Sequence, residues 1–291
     1  MTAPLSQGSV PAEWPASADR WKPVPIGVAP NGARRSQRDH RTLPIAADEL
    51  ADCAASCLAA GATWFHVHVR DDAGGHTLDA GRYREAFAAI RQRVGPGLVL
   101  QMTTEAVGRY SPLEQIAAVE AVQPEAVSIA VRELLADEAL LSHACGFIGH
   151  LVRAGTAVQF IVYDPADLQR LVALHAPGGK LRGCPEVLFV LGSYASRRAG
   201  HPRELLPLLG VLPPHWNWSA CAFGPTEAAC LTAAAAMGGG VRIGFENNVH
   251  LPDGSPAPDN AVQVIRMAHT LEVMGIPRTS CRQTRERFFG V

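Results

Sequence analysis

Residues 64–76, WFHVHVRDDAGGH, hold the stretch on which the fold turns. Phe65, Val67 and Val69 alternate with His66, His68 and Arg70, the period of two that gives a β-strand one apolar and one polar face. Just beyond it, residues 79–94 (DAGRYREAFAAIRQRV) place apolar side chains at helical spacing. A strand followed by a helix is one repeating unit of an α/β fold, and the same alternation runs outward in both directions.

Upstream, 23–29 (PVPIGVA) reads as a strand and 46–62 as a helix. Downstream the strands are predicted within 97–103, 126–131, 157–163, 186–192, 217–223 and 241–247, each followed by a helical run. Such alternation implies parallel strands joined by crossover helices. Eight units in about 250 residues predict a closed (β/α)8 TIM barrel, one domain over 22–291. The competing architecture is an open doubly wound sheet, whose first turn carries G-x-G-x-x-G. The matching segment here, VAPNGARR, has one glycine, which favours the barrel. Residues 1–21, with three prolines among Ser and Ala, read as an N-terminal extension.

The chain has 291 residues, 47% hydrophobic and 18% charged, with a net charge of −1. That composition supports a sizeable core and argues against nucleic acid as a partner, because no basic stripe is present. No run of about 18 apolar residues predicts a membrane span. Seven cysteines, an odd number without a C-x-x-C pair, point to reduced thiols and a cytoplasmic protein. The start lacks the basic and apolar regions of a signal peptide.

Parity along the strands selects the candidate site. If Val67 and Val69 face the helices, His66, His68 and Arg70 point into the barrel at the C-terminal end of the second strand, where barrel enzymes hold their active sites. In VRIGFENN, residues 241–248, the same parity turns Arg242, Gly244 and Glu246 inward on the eighth strand, with Gly244 leaving room beneath Glu246. Strands two and eight both flank strand one in a closed barrel, so Glu246 can approach the histidine pair. Two imidazoles and one carboxylate are the ligands of a catalytic zinc with an open position. The bland alternative for an inward histidine is a satisfied core residue; the coincidence of both strands favours metal. Gln101 and Thr103 point inward on strand three, while Arg132 and Glu133 fall at the rim of strand four. For that pair rim salt bridges or a helix-start carboxylate compete with a functional role. Asp71 and the glycines of DAGGH read as a flexible loop, and Asn31–Gly32 as a tight turn. GSYAS, residues 192–196, is rich in small residues and could admit a phosphate or a pantetheine arm.

The segments NGARR…WFHVHVRDDAGGHTLD, LFVLGSY, GGGVRIGFENNVHLPDGSPAPDNAVQVI and CRQTRERF resemble the β-keto acid cleavage enzymes, over roughly residues 24–288. The resemblance implies a (β/α)8 barrel binding one divalent ion, zinc, through His66, His68 and Glu246. It implies an acyltransferase that condenses a β-keto acid with acetyl-CoA to give acetoacetate and a new acyl-CoA, and a homo-oligomer, dimer or tetramer. Arg242 matches the arginine beside the metal, and Thr103 stands where the family often has serine. Two positions depart from the pattern. Asn247 replaces an expected aspartate, so either Asn247 only orients substrate and the base lies elsewhere, at Glu133 or Glu105, or the reaction is altered. Arg34 stands where a glutamate is expected, which would suit a substrate with an anionic far end. Two other readings remain: a zinc hydrolase or lyase of the amidohydrolase type, although strands five and six lack the histidines it needs, and an inactive homologue that binds metal or acyl-CoA.

Overall fold

The computed structural model describes residues 21–289; the expected extension lies outside them except for Trp21, which is half-buried against the core. The barrel strands are β1 (Ile26–Val28), β2 (Trp64–Val67), β5 (Val99–Thr103), β6 (Ala126–Ala130), β7 (Ala157–Val162), β8 (Glu186–Leu191), β9 (Asn217–Ala222) and β10 (Gly240–Ile243); β3 (Val69–Arg70) and β4 (His76–Thr77) form a separate ribbon. All barrel pairings are parallel, and the order β1-β10-β9-β8-β7-β6-β5-β2 closes on itself. The chain is thus a (β/α)8 TIM barrel. Helices α1 (Ala47–Ala60), α2 (Ala80–Val94), α3 (Pro112–Val122), α4 (Val131–Leu134), α5 (Leu141–Arg153), α6 (Pro165–His175), α7 (Leu205–Leu209), α8 (Glu227–Ala236) and α9 (Asn260–Val273) follow the strands, and α10 (Cys281–Phe289) ends the chain. Among the described residues no helix is long and apolar enough to cross a membrane.

Local chemistry sets the helix starts. Asp79, Asp164 and Asp259 each accept a hydrogen bond from a backbone N–H in the first turn of α2, α6 and α9, and Ser111 does so for α3 with Glu114 returning one. The strands bury both faces. Phe65, Val67, Leu100, Met102, Val127 and Ile129 pack outward against the helices in the main core. Inside, Trp64, Val99, Ala126 and Ala157 form a layer closed from below by Phe288 of α10, whose ring lies 5.3 Å from that of Trp64.

Three local expectations are corrected. The last strand stops at Ile243, not Asn247: Gly244 has φ +136°, and a Cβ there would fall 2.4 Å from the Ala29 carbonyl oxygen. Glycine is required by that close approach, not to leave room under Glu246. Phe245 consequently leaves the barrel wall and packs with Leu43, Val249, Leu251 and Ala257. Finally, the segment after the histidines is no open loop: β3 and β4 pair antiparallel, and Asp71 Oδ1 accepts from the N–H groups of Ala73 (3.1 Å) and Gly75 (2.8 Å) to close the turn.

Candidate active site

Because β1 pairs with both β2 and β10, the ends of those strands meet at one point of the barrel mouth. His66 lies on β2 and His68 just past it; both are 1% exposed. Glu246 arrives from the turn after β10, held by its N–H donating to Ala29 O at 3.1 Å. The Nε2 atoms of the two histidines are 3.1 Å apart, and Glu246 Oε2 is 3.2 Å from that of His68 and 3.7 Å from that of His66. A tetrahedral zinc with bonds of about 2.0–2.1 Å needs ligand atoms roughly 3.3 Å from one another. This triangle fits that requirement.

Hydrogen bonding prepares the imidazoles. Gln159 Oε1 accepts from Gln101 Nε2 at 3.1 Å, which turns Gln101 Oε1 toward His66 Nδ1 at 2.8 Å. His66 therefore carries its proton on Nδ1, and Nε2 presents a lone pair. Burial, reinforced by the Arg242 guanidinium, holds His66 well below the usual histidine range, so it is neutral. Behind His68 lies His76, ring centres 5.2 Å apart; burial and His68 push its pKa down to about 3, and its Nε2 donates to Glu105 O at 2.9 Å. Asn31 is fully buried and donates to Pro44 O (2.9 Å) and His68 O (3.0 Å), tying the loop after β1 to the backbone of the second histidine. Nothing in the local sequence marks that role; a tight turn alone accounts for an Asn–Gly pair.

Glu246 is an anion here. Burial opposes its ionisation, but Arg242 and His68 outweigh it and hold the carboxyl well below the ordinary range. Arg242, 2% exposed, donates from Nη2 to Glu246 Oε1 at 2.7 Å and to Cys221 Sγ at 3.3 Å, while its Nε and Nη1 have no partner. His68 Nδ1 and Glu246 Oε2 are likewise buried without partners. Orphaned donors and acceptors around one point are costly in a folded protein unless something binds there.

A cleft of about 460 Å³ opens above this cluster, lined among others by Thr103, Glu105, Glu133, Tyr163 and Arg242. Thr103 Oγ1 accepts from Glu105 N–H at 3.0 Å and keeps its own proton. Glu133 is anchored by Ala106 N–H (3.0 Å) and Gln115 Nε2 (2.9 Å). Burial, with the nearby charge of Glu105, raises the pKa of Glu133, and burial with Glu246 raises that of Glu105. Arg132 turns away to Asp164 (2.6 Å) and Asp167 (2.9 Å). Arg70 also leaves the cleft, donating to Arg35 O (2.9 Å), Gly32 O and Gly74 O (3.1 Å). Asn247 is fully buried and is not among the residues lining the cleft; its N–H donates to Gly244 O (2.9 Å) and its carbonyl accepts from Gly224 N–H (3.1 Å). Tyr163 and Phe223 carry no sequence signal beyond lying near strand ends, whereas Tyr194 belongs to the small-residue segment GSYAS and lines the adjoining hollow beside Arg34 and Arg35.

The family model for beta-keto acid cleavage enzyme matches residues 23–289. The chain is 26% identical over 266 residues to the 3-keto-5-aminohexanoate cleavage enzyme of Acetoanaerobium sticklandii, spanning 90% of this chain and 96% of that one. It is 25% identical over 272 residues to the 3-oxoadipate:acetyl-CoA acetyltransferase of Cupriavidus necator, spanning 91% and 94%. Among solved structures, apo ObcA shares the fold with a TM-score of 0.67 at 18% identity; the match covers 85% of this chain and 65% of that one.

Proposed function

The chain belongs to the beta-keto acid cleavage enzyme family, and from that footing we propose an acyltransferase that converts a β-keto acid and acetyl-CoA to acetoacetate and a new acyl-CoA. Acetyl-CoA stands in the name of the Cupriavidus necator relative, which supports the co-substrate. The observation that carries the reading is the convergence of His66, His68 and Glu246 beside the two unpartnered nitrogens of Arg242.

In the reaction, the carbon between ketone and carboxylate loses a proton, and its electron pair attacks the acetyl thioester, releasing coenzyme A thiolate. The thiolate adds to the original ketone, the carbon–carbon bond breaks, and the proton returns to the departing carbon as acetoacetate leaves. Zinc, the ion that two imidazoles and a carboxylate suit, would supply Lewis acidity at the keto oxygen when held by His66, His68 and Glu246. Arg242 binds the substrate carboxylate through Nε and Nη1, because Nη2 is already committed to Glu246 and Cys221. The Thr103 hydroxyl donates to developing oxyanion charge. We assign the proton to Glu133, a carboxylate of the cleft whose pKa burial raises; Glu105 is the second carboxylate of the same cleft. Asn247, without a titratable proton, holds the turn that carries Glu246 through its main chain, while its side-chain amide is buried without a partner.

We extend the proposal to a cytoplasmic, zinc-dependent dimer or tetramer built from one barrel domain over 22–291 behind an N-terminal extension. Metal analysis and native mass spectrometry check that part. The central test is a panel of β-keto acids with acetyl-CoA, following acetoacetate. Formation of acetoacetate and a matching acyl-CoA is expected; none from any substrate with metal-replete protein would refute the assignment.

A further inference from the structure

Within the histidine–carboxylate cluster, His66 lies on β2 and His68 between β2 and β3, but Glu246 hangs on the turn 244–248 beyond the end of β10. Its place therefore depends on whatever fixes that turn. Three buried side chains from α8 and α9 take the turn's polar groups. Asn260 Oδ1 accepts from Phe245 N–H at 2.9 Å, and Gln263 Nε2 donates to Asn248 O at 2.9 Å. Glu227, the first residue of α8, accepts twice: Oε1 from Gly244 N–H and Oε2 from Asn248 Nδ2, each at 3.3 Å. It thus bridges the first and last residues of the turn, with Glu246 midway between them.

A carboxylate in this place is not what folding alone would select. Glu227 is 1% exposed. Burial pushes its carboxyl well above the ordinary range, against the opposing pull of Asn248, the Gly244 N–H and the Arg242 guanidinium. The common reason for a glutamate in the first turn of a helix is the positive end of the helix dipole, which an exposed side chain serves as well. Asn260 and Gln263 show that neutral amides hold the other groups of the same turn. What an amide cannot do at position 227 is accept on both sides. If a glutamine oxygen took Gly244 N–H, its NH2 would face the NH2 of Asn248, donor against donor.

We infer that Glu227 is a positioning residue for Glu246: its two oxygens clasp both ends of the turn and so set the Glu246 carboxylate against the two imidazoles. The inference rests on the metal site proposed above. Glu227 itself lies outside the cleft and touches neither substrate nor metal. Its effect on the ion passes through the backbone of residues 244–248.

Zinc affinity, read by competition with a chromophoric chelator, is compared in the parent, Glu227→Gln, Asn248→Asp and the double variant. Glu227→Gln should weaken zinc binding by about 10-fold, the low end for a residue that orients a metal ligand. Asn248→Asp sets a second carboxylate against Glu227 and should weaken it as well. In the double variant the glutamine NH2 can donate to the aspartate, so zinc should bind more tightly than the two single losses combined predict. Parental zinc affinity in Glu227→Gln, or losses that simply add in the double variant, overturns the assignment. A glutamate that only supports the fold would lower Tm and leave the affinity intact. Amide hydrogen exchange of metal-free protein is the second measurement: the amides of 244–248 should exchange faster in Glu227→Gln, with β6 and β7 at parental rates. If the parent takes up no zinc, the metal reading fails by itself and exchange decides the clasp, equal rates in the turn overturning it. Should Glu227→Gln fail to fold, Glu227→Asp, which keeps the charge on a shorter arm, is held to the same outcomes.

Discussion

The two ends of the barrel use the same residue types to opposite effect. At the bottom, Glu186 accepts from Ser219 Oγ (2.7 Å), Arg287 Nε (3.0 Å) and Arg287 Nη2 (3.2 Å). Glu125 there accepts from Arg285 Nε (2.8 Å), Leu100 N–H (3.1 Å) and Arg91. Both carboxylates are saturated. At the mouth, Arg242 and Glu246 also form an ion pair, yet two nitrogens of the arginine and one oxygen of the glutamate have no partner. A buried charge with all its bonds made holds the fold together; one with bonds withheld is available to a ligand. The difference separates a stability end from a chemical end, as the (β/α)8 architecture generally does.

That contrast can be broken most sharply at the histidines. The double variant His66→Ala/His68→Ala should lose the bound metal by elemental analysis and fall to background turnover, with little change in Tm. Retention of a full metal equivalent would mean the ion is held elsewhere. Next in size, Arg242→Lys should lower kcat by about 10²- to 10³-fold while keeping its metal, because an ammonium cannot reproduce the fork. Steady-state kinetics beside metal content decide it, and an active Lys variant would remove the assigned role.

The bottom should respond the other way. Glu186→Ala strands Arg287 and should cost about 3–5 kcal/mol of stability in a denaturant titration, with turnover per folded molecule preserved. Loss of activity at full stability would erase the division between the ends. The smallest effect is a shift of the acid limb set by Glu133. A base must be ionised, and its pKa is raised by burial and by Glu105, so kcat should fall as pH drops through a midpoint above the ordinary carboxylate range. Gln115 lowers that pKa by its hydrogen bond. Gln115→Ala should therefore move the acid limb to higher pH, and Glu133→Gln should abolish deuterium exchange at the carbon between ketone and carboxylate. Unchanged exchange in Glu133→Gln would pass the role to Glu105.

Much of the fold is legible locally. Eight strand–helix alternations predict the barrel, and the span from Ser111 to Val122 announces α3 through Ser–Pro at its start. Less is legible where the chain departs from regular periods. The ribbon β3–β4 hides in a glycine pair, and α10 carries so few apolar residues that its docking under Trp64 has no periodic signal. The candidate site divides in the same way. Thr103 and Gln101 follow from parity on β5, whereas the separation of Glu133 from Arg132, neighbours in the chain, depends on Gln115 reaching one and Asp167 the other.

By itself, the sequence determines which residues can share a face. His66 and His68 are two apart on a pleated segment, so their side chains leave the same side whatever surrounds them. Parity also selects Arg242 on β10. It does not carry on to Glu246, since the strand ends at Ile243 and the turn at Gly244 resets the direction. Only the tertiary structure brings that carboxylate to the imidazoles, through barrel closure beside β1 and the bond from Glu246 N–H to Ala29 O. The same holds for Asn31 on the His68 carbonyl and for the hollow beside Arg34, Arg35 and Tyr194. Backbone geometry repeats every few residues and is written in local pattern. Contacts between residues far apart in the chain exist only after the barrel has closed, and those contacts set which polar atoms are satisfied and which are left for a ligand.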